Sequence, residues 1–230
     1  MLLGARDSFR TGGISARDYI QDGLVAMWDG IENAGWGIHD PNATVWTPLV
    51  GGEPLTLTNR ATWRSDEGCL AMLTAGSVPA AAYGARSDWA PMQFEVVAKW
   101  ASGAMVLSFG SGSERMLIIN GKQRCQGDSN VMHTAPYSLA NINTYSVRSS
   151  STAIGSARAV YQNLSGPLAN AGGNTWGRAG VLSVGARHPG SESYRFYGRV
   201  YSIRFYNRDL TAAEMRHNHE ADKARFKLTA

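Results

Sequence analysis

One segment of the chain, residues 29–48, combines side chains that could bind a sugar. Trp36 and Trp46 offer aromatic surface for stacking on the apolar face of a pyranose ring, and His39 and Asp40 lie between them as hydrogen-bonding groups. Sites for small ligands typically place a few polar groups around apolar surface, and this segment has that mixture. Tryptophan is also mostly buried in folded proteins, so both rings could instead close one end of a hydrophobic core.

Trp176 is a further aromatic candidate for ligand binding. It lies in the segment 163–180, which contains five glycines and one proline and therefore predicts a long exposed connection. A tryptophan in such a loop is better placed to meet a ligand than a tryptophan in a strand.

The same polar segment could hold a calcium ion. Asp29, Asn33, Asp40 and Asn42 supply oxygen ligands within a short stretch, and calcium prefers such hard oxygen ligands from flexible loops. The Asp-Gly and Asp-Pro-Asn sequences around them are equally typical of turns, in which Asp and Asn bind the nearby backbone. The sequence leaves both interpretations open.

Carboxylate pairs suited to glycoside hydrolysis are missing from the predicted strands. A retaining enzyme needs two carboxyl groups about 5–5.5 Å apart, which on one strand means even spacing on one face. Acidic residues two or four positions apart occur only as Asp18 with Asp22 and Glu220 with Asp222, outside the predicted strands. Glu95 stands alone in a strand candidate. We therefore predict no catalytic residues, with a hydrolase that recruits carboxylates from separate strands as an alternative.

Composition argues against two other classes of partner. The 230 residues have a formal net charge of +4, and the 22 basic residues are dispersed along the chain, whereas nucleic-acid binding is typically signalled by a basic stripe. No run approaches the ~20 apolar residues of a membrane span.

The first residues lack the ~7–15-residue apolar core of a secretory signal. We expect cytoplasmic synthesis, followed by virion association or release, with a glycan or a protein surface as partner.

The elements that must position these residues are strands. Short segments rich in branched and aromatic residues recur along the chain, separated by turns that contain glycine and serine. The predicted strands are 23–28, 56–58, 61–64, 69–73, 94–100, 104–109, 115–120, 144–148, 157–162, 181–185 and 200–206.

The last strand passes into a helix. Residues 200–206 alternate in character, which predicts one buried face, and Asn207 to Asp209 has turn chemistry. Thr211 and Glu214 have the spacing of a capping box, so a short C-terminal helix should follow. At the other end, Ser15 could cap a single helical turn.

No linker or repeat divides the chain. Residues 1–14 predict a flexible lead, and residues 15–230 predict one domain. Antiparallel strands of this number usually close as two packed sheets, so we predict an all-β, two-sheet antiparallel jelly-roll sandwich with a short C-terminal helix.

Two motifs carry a resemblance to a known family. The opening segment reads Gly-Leu-Val-Ala-Met-Trp, and the closing strand is similar to G-x-(I/V)-D-E-(I/V)-R-(I/V)-(Y/F)-N-R-x-L-(S/T)-x-x-E. The matching residues of the second motif are Gly198, Val200, Ile203, Arg204, Phe205, Tyr206, Asn207, Arg208, Leu210, Thr211 and Glu214. The chain thus resembles laminin-G-like domains of the concanavalin A-like lectin/glucanase superfamily. It departs from them at the acidic pair, where Tyr201 and Ser202 stand.

The resemblance implies a function as well as a fold. It favours a non-catalytic, lectin-like module that binds carbohydrate, of the kind found in bacterial and prophage proteins, including tail-associated and cell-surface ones. In this superfamily calcium often supports the sugar-binding rim. The alternatives are a structural or assembly module that makes protein contacts without a sugar site, and a glycoside hydrolase.

Overall fold

The structure is a computed structural model. It describes residues 14–58, 61–72, 82–86, 93–103, 105–109, 114–119, 122–126, 130–134, 141–149, 158–166, 170–171, 180–186 and 196–228. An N-terminal 3-10 turn (Ala16–Asp18) precedes the strands β1 (Leu24–Asp29), β2 (Val45–Trp46), β3 (Leu55–Leu57), β4 (Thr62–Arg64), β5 (Cys69–Met72), β6 (Ala82–Arg86), β7 (Gln93–Gly103), β8 (Met105–Phe109), β9 (Glu114–Ile119), β10 (Lys122–Gln126), β11 (Asn130–Thr134), β12 (Ile142–Ser149), β13 (Arg158–Gln162), β14 (Asn170–Ala171), β15 (Gly180–Val184) and β16 (Phe196–Tyr206), and the helix α1 (Ala212–Phe226).

The strands form two antiparallel sheets of eight strands each. The first sheet has the order β14-β13-β12-β7-β16-β5-β4, with β1 paired to β16, and the second has the order β11-β10-β9-β8-β15-β6-β3-β2. The chain is an all-β, two-sheet sandwich with a short C-terminal helix, so the predicted fold class is confirmed.

Strand β16 organises the first sheet. It pairs with β7 along its whole length, while its other edge pairs first with β5 and then with β1. The register shifts between Val200 and Ser202, where β16 passes from β5 to β1 as its edge partner. A bulge of this kind adds a residue to one strand and bends it.

A hydrophobic core fills the space between the sheets. Its buried members come from both sheets, and they are Ala26, Trp28, Trp46, Leu55, Ala61, Trp63, Leu70, Met72, Phe94, Val96, Ala98, Leu107, Tyr145, Val147, Leu182, Val184, Phe196, Val200, Ile203 and Phe205. The alternation of apolar residues in the sequence predicts this interior because successive strand residues face opposite sides of a sheet.

The prediction of one buried face for the last strand is wrong beyond Val200, because every residue from Val200 to Tyr206 is buried. The outer face of the first sheet is covered by α1 and by the N-terminal turn. A second apolar cluster forms there, in which Met215 of α1 packs with Tyr19, Met27 and Tyr206.

Both predicted helical caps are confirmed. Thr211 Oγ1 accepts a hydrogen bond from the backbone N–H of Glu214, and Glu214 reaches back to the N–H of Thr211. Ser15 and Asp18 form the same reciprocal pair at the N-terminal turn. Such caps supply partners for backbone groups that the first turn leaves unpaired.

Five strands have no counterpart among those predicted: β2, β6, β10, β11 and β14. Strands β10 and β11 read Lys-Gln-Arg-Cys-Gln and Asn-Val-Met-His-Thr, with few of the branched and aromatic residues that signal a strand. Strand β14 is two residues long and lies inside the segment 163–180, which the sequence predicts as a connection. The predicted flexible lead lies, apart from Ile14, outside the described residues.

Candidate functional site

The polar segment predicted to bind a ligand is braced by its own hydrogen bonds. Asn33 is fully buried, and its side-chain amide donates to the carbonyl of Asp40 at 2.8 Å and accepts from the N–H of Asp40 at 2.8 Å. The carbonyl of Asn33 accepts from the N–H of Thr47 at 2.9 Å. Asn33 therefore joins three stretches of the loop and directs its side-chain oxygen at the backbone.

Asp29 is fully buried at the end of β1. Its Oδ1 accepts from the N–H groups of Ile31 and Glu32, at 2.9 and 3.1 Å, and pairs with Arg225 Nη2 at 2.9 Å. Burial raises the pKa of this carboxyl, and the charge of Arg225 opposes the shift. Asp29 thus closes a turn and anchors α1.

The four predicted calcium ligands have separate roles in the structure. Asp40 Oδ1 accepts from the N–H of Asn42 at 2.8 Å, which is an Asx turn, while Asn33 Oδ1 and Asp29 Oδ1 accept from other backbone N–H groups; Asp29 Oδ2 is buried without a hydrogen-bond partner among the described residues. Across the described residues, no three His, Cys, Asp or Glu side chains are grouped so that they could hold a metal ion. Calcium binding stays a prediction without a described ligand set.

The structure corrects the prediction that Trp46 binds a ligand. Trp46 is fully buried in the core, and its Nε1 donates to the carbonyl of Asp29 at 2.9 Å. Its ring meets that of Trp63 edge-to-face, with centroids 5.4 Å apart. Trp46 therefore closes one end of the core, which is the other interpretation that the sequence allows.

Trp36 and His39 are half-buried and already have partners. The guanidinium of Arg17 lies 4.4 Å from the centroid of the Trp36 ring. His39 Nδ1 is 3.0 Å from the carbonyl of Ile31, which can only accept, so this nitrogen carries the proton and Nε2 faces Ser65 Oγ at 2.7 Å. The structure brings Trp36, His39 and Asp40 into one loop, and Trp176 lies outside the described residues.

A charged triad lies beneath α1, on the outer face of the first sheet. Glu95 of β7, Arg204 of β16 and Asp222 of α1 are each at most 1% exposed. The guanidinium of Arg204 donates through Nη1 and Nη2 to the two oxygens of Asp222, at 2.7 and 2.8 Å, and through Nε to Glu95 Oε2 at 3.1 Å. The paired bonds to Asp222 are the fork geometry that suits arginine and a carboxylate.

Neutral donors complete the coordination of Asp222. Tyr19 Oη donates to Oδ1 at 2.8 Å, and Thr144 Oγ1 donates to Oδ2 at 2.9 Å. The Tyr19 ring also lies 4.0 Å from the guanidinium carbon of Arg204. The N-terminal segment is therefore fastened to the same ion pair that holds the helix.

Glu95 is satisfied in the same way. Ser146 Oγ donates to Oε1 at 2.6 Å, and Asn218 Nδ2 donates to Oε2 at 2.8 Å and to Tyr206 Oη at 2.9 Å. Burial raises the pKa of Glu95, and the charge of Arg204 opposes the shift. Because the guanidinium of Arg204 and the amide nitrogen of Asn218 can only donate, the geometry favours an ionised carboxylate that accepts from each of them.

The triad has no route to a substrate. Hydrolysis of a glycoside needs two carboxyl groups on either side of the scissile bond, and the oxygens of Glu95 and Asp222 are buried against Arg204. The arrangement docks the helix and the N-terminal turn onto the first sheet. Removing one member of a buried ion pair leaves an uncompensated charge, so these contacts also specify how the elements fit together.

The sequence predicts that Glu95 stands alone in its strand, and this prediction is wrong, because the fold brings partners to the carboxylate. In the sheet, Glu95 lies directly opposite Arg204 on β16 and opposite Ser146 on β12. The signal available in the sequence was Arg204 itself, because an arginine inside a strand of apolar residues calls for a carboxylate partner.

The outer face of the second sheet differs from the outer face of the first sheet. In β15, Leu182 and Val184 are core residues, so the alternation of the strand places Ser183 between them on the outer face. Ser183 is 1% exposed, and within the described part of the chain its Oγ has no hydrogen-bond partner. A buried hydroxyl without a partner is uncommon and calls for an explanation.

Ser183 stands in the middle of a row of polar residues. Antiparallel partners share a face, and the register continues from Ser183 to Tyr83 and Ser108 on the neighbouring strands. We call the full set the outer row: Thr56, Tyr83, Ser183, Ser108, Arg115, Gln126 and Asn130. Thr56, at one end of the outer row, is exposed.

Comparisons with known proteins support the fold. No protein-family model matches the chain, and no curated protein matches it. A sialidase from Trypanosoma rangeli, in complex with sialic acid, is similar to it with a TM-score of 0.59 at 16% identity, over 86% of this chain and 32% of that one. The same sialidase in complex with 2-keto-3-deoxy-D-glycero-D-galacto-2,3-difluoro-nononic acid gives a TM-score of 0.57 at 15% identity.

The likeness to the sialidase is limited to part of that protein, because this chain spans only 32% of its length. The Ruminococcus gnavus IT-sialidase CBM40 bound to α2,3-sialyllactose is more distant, with a TM-score of 0.45 at 12% identity, over 57% of this chain and 83% of that one. At these identities the sialidase shows a shared β-sandwich fold alone, and the CBM40 similarity is too weak to carry an argument.

The one helix within the described ranges, α1, is too short and too polar to cross a bilayer.

Proposed function

We propose that this chain is a non-catalytic, lectin-like module that binds a glycan on the outer face of its second sheet. The observation that carries the proposal is the Ser183 hydroxyl, which is buried at the centre of the outer row without a hydrogen-bond partner among the described residues. A buried polar group left unpaired costs about 1–3 kcal/mol. A sugar hydroxyl both donates and accepts, so it would supply the partner that Ser183 lacks once the groups that cover Ser183 move aside on binding.

The residue types of the outer row support a sugar as ligand. The backbone register aligns positions occupied by threonine, tyrosine, serine, arginine, glutamine and asparagine across the second sheet. Carbohydrate sites typically combine such residue types with one or more aromatic residues, and one position of the row is a tyrosine, Tyr83. The other outer face offers no comparable surface, since α1 and Tyr19 fill it.

The absence of catalysis is part of the proposal. Glu95 and Asp222, the carboxylates brought nearest to a pairing by the first sheet and α1, share one arginine and are buried. A pair in this state cannot act as acid and nucleophile on a bound sugar. The laminin-G-like motifs support the proposal that the module belongs to a phage tail or a bacterial surface protein.

A glycan array tests the proposal, read with and without calcium, followed by titration of the best ligand. We expect Ser183→Ala to weaken binding about tenfold, which corresponds to the loss of about one hydrogen bond. The matched control is Ser202→Ala. Ser202 is also fully buried with an unpartnered Oγ in the described structure, but it lies on the outer face of the first sheet, beneath α1.

Two results would contradict the proposal. One is the absence of any bound glycan in both calcium conditions. The other is equal affinity of the parent and both serine variants, which would mean that the outer row does not contact the ligand.

An assembly role is the second candidate function. Ile14 and Ile38 are 39% and 55% exposed. Arg225 donates a hydrogen bond to the carbonyl of Ile14, Glu32 accepts one from the residue before Ile38, and Arg225 and Glu32 bond to each other. Exposed apolar residues grouped in this way can mark a protein contact. If this surface joins copies of the chain, Ile38→Asp should lower the mass measured by light scattering, and an unchanged mass would count against self-association.

A further inference from the structure

His219 lies on the buried side of α1, between the helix and β12. Its side chain is 8% exposed, whereas His217, two positions earlier on the same helix, is exposed. His219 Nδ1 is 3.2 Å from Thr144 Oγ1 of β12. Histidine is the side chain whose ordinary pKa lies nearest to neutral pH, so a small change in acidity changes its charge.

The hydrogen bonds around Thr144 determine which nitrogen of His219 carries the proton. Asp222 accepts two bonds from Arg204, so it is an ionised carboxylate that only accepts, and the single hydrogen of Thr144 Oγ1 goes to its Oδ2 at 2.9 Å. Thr144 Oγ1 must therefore accept from His219, and Nδ1 is the protonated nitrogen. His219 thus ends a chain of hydrogen bonds that runs through Thr144 and Asp222 to Arg204.

A second proton on this ring would place a charge where water is largely excluded. Burial lowers the pKa of His219, because the charged ring loses its hydration. Among the described residues, Asp222 and Glu220 attract the charged ring. Lys223 and Arg204 repel it. Three of these four groups lie on α1 and the fourth lies on β16, while the contact from β12 is a neutral hydroxyl.

We propose that His219 is a pH-sensitive switch on the outer face of the first sheet: the neutral ring holds α1 against β12, and acid loosens the helix by protonating the ring. Water solvates the charged ring better once the helix has moved away from β12, so protons favour the loosened form. A histidine whose folded-state pKa is lowered stabilises the fold above its ordinary pKa of about 6.5, and this contribution is lost as the pH falls below that value.

The switch acts on the N-terminal turn as well as on the helix. Tyr19 Oη donates to Asp222 Oδ1 at 2.8 Å, and the N–H of Ile20 donates to Asn218 Oδ1 at 2.9 Å. Both acceptors belong to α1 and lie within three positions of His219. Acid therefore loosens the two elements that cover the first sheet, and the outer row of the second sheet is not involved.

Hydrogen exchange of the backbone amides tests the switch. Rates are measured at about pH 7.5 and about pH 5.5 and corrected for the intrinsic pH dependence of exchange. We expect the protection of the α1 amides to fall about threefold or more at the lower pH, while the amides of β7 and β16 keep theirs. A fall of the same size in the helix and in both strands would show general destabilisation by acid and would overturn the proposal.

His219→Asn separates the charge of the ring from its hydrogen bond. The amide nitrogen of asparagine can replace Nδ1 as the donor to Thr144, and it stays neutral at both pH values, while asparagine and histidine have similar helix propensities. We expect the helix of this variant to have the same protection at both pH values.

The matched control is His217→Gln. His217 Nε2 lies 2.6 Å from the carbonyl of Asp18, and the amide nitrogen of glutamine can replace it as the donor. Because His217 is exposed, this variant should keep the pH response of the parent. A pH response that survives in His219→Asn, or that disappears in His217→Gln, contradicts the assignment of the switch to His219.

NMR of the histidine side chains measures the ring directly in the parent chain, so the test does not depend on the folding of any variant. We expect His219 to have its proton on Nδ1 near neutral pH and to take up the second proton below about pH 6.5. A proton on Nε2 instead, or a ring that becomes charged above about pH 6.5, would rule the switch out.

Discussion

Both outer faces bury a hydroxyl that has no partner among the described residues, Ser202 on the first sheet and Ser183 on the second, and the first face also buries the charged triad beneath α1. Beneath α1, Arg204 bonds to both Glu95 and Asp222. At the centre of the outer row, Ser183 Oγ is unpaired. Burying charge is tolerated only with partners, and the charges of the triad are satisfied within the chain.

The difference indicates which face serves the fold and which face can serve a ligand. The first face is covered by the protein's own helix, so its groups are not open to a ligand. A buried hydroxyl without a partner gains free energy when a ligand supplies one. Four predictions, taken from the largest expected effect to the smallest, test this division.

Asp222→Ala should cause the largest loss of stability. The change leaves the buried Arg204 with one carboxylate instead of two and removes the acceptor of Tyr19 and Thr144. We expect a loss of about 3–5 kcal/mol in the free energy of unfolding, measured by urea denaturation.

Glu220→Ala is the control for Asp222→Ala. Glu220 lies on the same helix, is exposed and pairs only with Lys223, at 3.0 Å, so its removal should cost less than about 0.5 kcal/mol. Similar losses for the two variants would mean that the buried triad does not hold the helix.

Tyr19→Phe should cost about 1–2 kcal/mol. The ring and its contact with Arg204 are kept, while the hydrogen bond to Asp222, 2.8 Å long, is lost. Thermal and urea unfolding measure the change, with Tyr197→Phe, at a half-buried position on β16, as the comparison. A Tyr19→Phe variant as stable as the parent would show that the N-terminal turn is held by packing alone.

Glu214→Gln tests the start of α1 through pH. A hydrogen bond from Arg208, and then the N–H of Thr211, lower the pKa of Glu214 from 4.5 to about 2. A carboxyl group with a lowered folded-state pKa stabilises the fold above its ordinary pKa, and this contribution is lost as the pH falls towards the folded-state value.

The parent should therefore exceed Glu214→Gln in stability by about 1 kcal/mol at pH 7, because the group is partly exposed and its charge is screened by solvent. The gap should close between about pH 4.5 and pH 2 when urea unfolding is repeated at each pH. A gap that persists at pH 2 would assign the effect to the neutral hydrogen bonds of the cap.

Ser183→Ala and Ser202→Ala should have the smallest effects on stability. Each removes a buried hydroxyl without a described partner, so the ligand-free protein should change by less than about 1 kcal/mol, and towards greater stability. The two diverge when ligand is added, since a bound glycan should raise the melting temperature of Ser202→Ala more than that of Ser183→Ala. Equal shifts would erase the distinction between the two faces.

Local features of the fold could be predicted because neighbouring residues decide them. Thr211 and Glu214 make their reciprocal cap three residues apart, and Leu24 to Trp28 form a strand by their own branched and aromatic character. Trp46 shows where local reasoning stops, because a tryptophan suits a sugar site or a core equally well. Only the packing of Trp63 against it decides between them.

The buried triad could not be predicted from spacing. Arg204 meets Glu95 from 109 positions away, and Tyr19 meets Asp222 from 203 positions away. These two contacts depend on the order of the strands in the first sheet and on which face of that sheet α1 packs against. The outer row is likewise a product of register, since its residues come from seven strands.

The sequence by itself determined the class of fold, the two helical caps and most of the strands, because alternation and capping act over a few residues. The tertiary structure decided which polar residues are buried with partners and which are buried without them. The physical reason is that a charge or hydroxyl is satisfied by whatever the folded chain brings within about 3 Å, and strand order and register alone determine that neighbour.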